Sequence, residues 1–79
     1  MNNRVKRYFN DLDPRFTVFS NKLHVINYKK ILSLEDNRVS FLFNNKKVIF
    51  KGNGFVLNKL LDYEVLINGY VTNIEVFDV

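Results

Sequence analysis

The chain has 79 residues, a formal net charge of +4 from 12 basic and 8 acidic side chains, and a composition that is 47% hydrophobic, 15% aromatic and 25% charged. That is too apolar for a wholly disordered chain, and the length sets a ceiling of one domain. Cysteine is absent, which excludes disulfides, thiolate chemistry and every cysteine-ligated zinc or iron–sulfur centre.

A domain this small removes only about 60% of its unfolded surface on folding, so its stability margin is thin and a protein partner or a homo-oligomer is expected. The polar start Met1–Asn2–Asn3–Arg4 leads into no apolar run, so no signal peptide and no bilayer-spanning segment is expected, and the cytoplasm is the expected compartment. The lysines at 22, 29, 30, 46, 47, 51 and 59 are scattered over turns and strand ends. That distribution reads as solubility and protection of sheet edges rather than as a nucleic-acid stripe.

In chain order, the first element is a helix predicted over Arg4 to Asp13. Val5, Tyr8, Phe9 and Leu12 recur at i, i+3, i+4 and i+7 and make one apolar stripe. Asn2 or Asn3 caps its start, and Asp13 before Pro14 ends it. About ten residues do not form a stable helix alone in water, so the stripe is expected to lie on the domain, on another subunit or on a membrane surface. Residues 1–15 are therefore read as amphipathic helix and linker, and 16–79 as a single β domain.

From Phe16 the apolar period becomes two, which predicts strands at about 16–20, 22–27, 30–34, 38–43, 47–51, 55–60, 64–68 and 70–77. Polar breaks at Ser20–Asn21, Glu35–Asp36–Asn37 and Asn44–Asn45 separate them. Gly52–Asn53–Gly54 reads as the strongest turn, and Asn68–Gly69 as a type I′ hairpin signal; Gly52, Gly54, Asn68 and Gly69 are the structural turn residues. Apolar groups such as Leu42, Ile49 and Leu66 fall on the second face of their strands. The expected fold is all-β: a small antiparallel roll or sandwich of seven or eight short strands with one N-terminal helix.

The residues of chemistry are sparse. His24 is the single histidine and has only carboxylates as co-ligands, so it reads as a strand residue rather than a metal ligand or a general base. The carboxylates lie beside turns or at the ends, and the glycines are followed by no Lys and helix of a phosphate loop. No catalytic, cofactor-binding or metal residue, no cofactor and no small-molecule substrate is expected. Phe41, Phe43, Phe50 and Phe55 alternate along strands as core residues do. Tyr28, beside Lys29–Lys30, and Tyr70, beside the 68–69 turn, are the aromatics placed to be exposed platforms. Candidate partner contacts are thus Val5, Tyr8, Phe9, Leu12, Tyr28 and Tyr70. The competing class is a basic small β-barrel that binds single-stranded nucleic acid, supported by the net charge and the aromatic count.

Several strings carry a family pattern. Pro14–Arg15–Phe16–Thr17–Val18–Phe19–Ser20–Asn21 is followed by Leu23–His24–Val25–Ile26–Asn27, then by Tyr28–Lys29–Lys30–Ile31–Leu32 and Asn37–Arg38–Val39. Ile49–Phe50–Lys51–Gly52–Asn53–Gly54–Phe55–Val56–Leu57 and Val65–Leu66–Ile67–Asn68–Gly69–Tyr70–Val71–Thr72–Asn73–Ile74 complete it. Over about residues 8–77 the chain resembles the YabP/YqfC family of bacterial sporulation proteins, and its YqfC branch more than the other. Ser20 stands where that family often has Gly, and residues 26–30 lack its Glu–Asn–His–Arg–Gly run. The resemblance implies a non-enzymatic scaffold or interaction role in endospore formation, on the mother-cell side, beside a membrane-protein partner.

Overall fold

The computed structural model describes residues 13–79, and the predicted helix as far as Leu12, with its stripe Val5, Tyr8, Phe9 and Leu12, lies outside them. The described chain is all-β. Its strands are β1 (Arg15–Val18), β2 (Lys22–Ile26), β3 (Lys30–Glu35), β4 (Arg38–Leu42), β5 (Lys46–Leu60) and β6 (Glu64–Asp78). All pair antiparallel in one open sheet of order β1-β2-β6-β5-β4-β3.

The count of seven or eight strands is corrected to six among the described residues. The segments expected at 47–51 and 55–60 are one strand, β5, and those at 64–68 and 70–77 are one strand, β6. The two glycine signals are bends inside these 15-residue strands, not reversals of the chain. Gly54 has φ +69° and Gly69 φ +137°, conformations that a side chain disfavours. The β5–β6 register shifts on both sides of Gly52–Asn53 and again after Leu57. Extra residues of this kind bend a strand without ending it. The reversal between β5 and β6 is instead at residues 61–63, where the Leu61 N–H donates to the Glu64 carbonyl at 2.8 Å.

Bending takes backbone groups out of the ladder, and neighbouring turns replace the lost partners. The Gly52 N–H donates to Asn37 O at 3.0 Å and the Phe55 N–H to Asp36 O at 2.8 Å, so the β3–β4 turn holds the corner of β5. The Gly69 N–H donates to Asn21 O at 2.9 Å, so the β1–β2 turn holds the corner of β6. Asn27, in the left-handed region at φ 59°, turns the chain from β2 towards β3. Its N–H donates to Tyr63 O and its side chain to Asp13 O.

The bend gives the sheet two halves. In one, β1 and β2 continue through residues 64–68 of β6 to residues 56–60 of β5. In the other, residues 70–78 of β6 continue through residues 46–53 of β5 to β4 and β3. Leu23, Val25, Val65 and Ile67 of the first half join Val39, Phe41, Val48 and Phe50 of the second in one buried cluster. Phe16 of β1 meets Phe50 of β5 edge to face at 4.9 Å. Such a contact between strands three places apart requires the inward face to be strongly concave, because neighbouring strands lie about 4.8 Å apart. Phe43 and Phe55 are buried in the same cluster, and Phe41 touches Tyr28, Phe43 and Phe50.

Candidate interaction surface

The long strands change neighbours at the bend. β6 is flanked by β2 and β5 over residues 64–68, but among the described residues only β5 pairs with residues 70–78. β5 is flanked by β4 and β6 over Lys47 to Lys51, but only β6 pairs with residues 56–60. With β1 and β3 at the ends of the order, four strand edges have no neighbour among the described residues.

Cross-strand partners share a face, so the register tells which side each edge residue takes. Ile74 and Val76 pair with the core residues Phe50 and Val48, and Leu57 and Leu60 with Ile67 and Val65. All four therefore face inward. They nevertheless remain 38%, 56%, 41% and 53% exposed. Phe16 and Val18 of β1 and Leu34 of β3 are likewise inward by register and exposed. Among the described residues, no further strand pairs at these edges beyond the partly exposed apolar side chains. Scattered exposed apolar residues are ordinary, but a contiguous rim of them marks a contact surface.

Of the residues singled out from sequence, Tyr70 is exposed. Tyr28 is a correction: it is 6% exposed, its ring lies 5.3 Å from Phe41, and it belongs to the core rather than to a surface platform. Burial, and then the charge of Asp62, push its phenol pKa above the usual tyrosine value. Gly52 and Gly69 take the corner, where a Cβ would meet Tyr70 O at 1.8 Å and Phe55 Cδ1 at 2.6 Å respectively; Gly54 has open space around it. Asn68 is within β6, and its Oδ1 accepts from Asn58 Nδ2 at 3.1 Å. Ile49 of the second face is buried within the chain, opposite Ser40 on one side and Glu75 on the other.

Several ionisable groups of the described residues meet in pairs across neighbouring strands. His24 Nε2 lies 2.6 Å from Glu64 Oε2 across the β2–β6 ladder. Lys51 Nζ donates to Glu75 Oε2 at 3.2 Å, and Lys46 to Asp78. The Lys46 hydrogen bond, and then its charge, hold the Asp78 carboxyl below the usual carboxylate range. Among the described residues no three His, Asp or Glu side chains gather as metal ligands. No helix among them is long and apolar enough to cross a membrane. A recess lined by Tyr28, Lys29, Lys30, Ile31, Leu60, Leu61 and Asp62 holds no histidine and one carboxylate.

The free edges escaped the sequence reading because an edge is defined by where a neighbour stops. Thr72, Ile74 and Val76 announce a strand, yet nothing local says that β2 reaches only Asn68. No family model, curated protein or solved structure matches the chain.

Proposed function

We propose that this protein is a small non-catalytic interaction module, a roll-like sheet whose open edges receive other polypeptide. The observation that carries the reading is the exposure of inward-facing Leu57, Leu60, Ile74 and Val76 at free strand edges. Edge pairing supplies backbone hydrogen bonds for affinity, and the alternate side chains supply selectivity. The resemblance to the YabP/YqfC proteins supplies the biological setting: a scaffold in endospore formation, acting in the mother cell beside a membrane-protein partner.

Light scattering and partner capture with the full chain test the physical part. Leu57→Ser with Leu60→Ser, or Ile74→Ser with Val76→Ser, is expected to lower association while the fold persists. Unchanged mass and unchanged capture in both variants overturn the reading. Tight binding to single-stranded DNA that falls steeply with salt would also overturn it, in favour of a nucleic-acid module. Deletion in the source organism tests the setting, with a loss of heat-resistant spores expected.

A further inference from the structure

We propose that residues 74–78 of β6 are a self-association edge, at which two copies of this chain pair antiparallel about a two-fold axis midway between their Val76 residues. The inference rests on the interaction reading and names its partner, a second copy of the chain.

The four edges without a neighbour among the described residues differ in how well they are guarded. Bulges, short length, proline and charged side chains, lysine above all, are the usual protections against edge pairing. β1 is four residues long and opens on Arg15. β3 opens on Lys30 and is irregular between Ile31 and Ser33. The free part of β5 carries Lys59 and a register shift between Leu57 and Lys59. By contrast, Asn73 to Asp78 of β6 pair with Lys51 to Lys46 without a shift and include no Lys, Arg or Pro. The two carboxylates of this segment, Glu75 and Asp78, already bond to Lys51 and Lys46 of β5. The least guarded edge is also the one that exposes Val76 and Phe77.

Register follows from face and charge. Directly opposed residues of an antiparallel pair share a face, so a two-fold axis normal to the sheet sets one residue opposite its own copy and passes midway between the two. An axis at Glu75 sets two carboxylates against each other, which is unfavourable. An axis at Ile74 runs the pairing onto the shift at Thr72. An axis at Val76 uses the regular run alone. It sets Val76 against Val76, Glu75 against Phe77 and Asp78 against Ile74, with no like charges opposed. This is the isologous arrangement of a two-fold dimer, in which one patch serves both subunits.

The chain has no cysteine, so a single introduced thiol reports a single contact. Opposed residues have Cα atoms about 4.5–5.5 Å apart, within disulfide reach. Val76→Cys is expected to form a covalent dimer under mild oxidation. Ile74→Cys alone is expected to stay unlinked, because its two copies lie about 13 Å apart in this register. Ile74→Cys mixed with Asp78→Cys is expected to cross-link. The full chain is expected to scatter as twice its 9.4 kDa, and Val76→Lys to scatter as a monomer with an unchanged circular dichroism spectrum. The mild cysteine series keeps the test decisive if Val76→Lys folds poorly. A multimer in which Val76→Cys stays unlinked overturns this pairing and leaves the interaction reading standing. A monomer that captures no partner overturns both.

Discussion

The carbonyl oxygen of Tyr70 lies 1.8 Å from where a Cβ on Gly52 would sit. Two long strands therefore approach so closely at the bend that only glycine fits between them. Gly52→Ala must displace β6 backbone, not merely a side chain. The expected cost is about 2–4 kcal/mol, the scale of strained or overpacked substitutions. Gly54→Ala has open space and only a positive φ to oppose it, so it is expected to cost about 1–2 kcal/mol. Urea denaturation of the two variants checks the order; equal midpoints would mean that the bend is not held by this contact.

Gly69→Val combines both penalties. The position has φ +137°, and a Cβ there would come 2.6 Å from the Phe55 ring and 3.0 Å from the carbonyls of Asn53 and Gly54. A loss of about 3 kcal/mol or more is expected, since a β-branched residue is a poor occupant of positive φ. Thermal unfolding measures it, with a melting temperature equal to the parent's as the contrary result.

The legibility of this fold divides along the same line. Period-two spacing located every strand segment, because alternation across a sheet is a local property. Its fusion of segments was not legible, since Gly52–Asn53–Gly54 and Asn68–Gly69 use the same residues whether the chain reverses or bends. What decides is long-range: the turns at Asp36–Asn37 and Asn21 accept the N–H groups freed at the two corners. Tyr28 was misplaced for a similar reason. Its lysine neighbours suggested a wet position, whereas packing of this loop residue against Phe41 of β4 buries it.

Phe16 is expected to fasten the β1 edge to the opposite half of the sheet. Its ring stands at 80° to Phe50 with centroids 4.9 Å apart, although Phe16 itself stays partly exposed. Phe16→Ala is expected to cost about 2 kcal/mol, less than the 3–5 kcal/mol of a fully buried phenylalanine. A double-mutant cycle with Phe50→Leu should show a coupling of about 0.5–1.5 kcal/mol. Zero coupling would mean that the rings merely lie near each other. Amide exchange should quicken first in β1 in the Phe16 variant.

Ser33 and Ser40 face each other across the β3–β4 ladder with hydroxyl oxygens 2.6 Å apart, and Ser40 is buried. Each single alanine substitution strands one hydroxyl and is expected to cost about 1 kcal/mol. The double substitution removes both polar groups, so its cost should fall short of the sum of the two singles. Strict additivity in urea unfolding would show that the hydroxyls do not depend on each other.

Tyr28 gives the fold an alkaline limit. Burial, followed by the negative charge of Asp62, raises its folded pKa above the ordinary tyrosine value. Above pH about 10, the unfolded chain releases this proton while the folded chain retains it. The unfolded state then binds fewer protons, and the free energy of unfolding falls as pH rises. The stabilising contribution is thus complete below the unfolded pKa and is lost as pH climbs through the folded one. Tyr28→Phe keeps the ring against Phe41 but has no proton to lose. Urea unfolding at pH 8 and at pH 11 should therefore show a smaller alkaline loss in Tyr28→Phe than in the parent chain. An equal loss in both would assign the alkaline weakness to other groups.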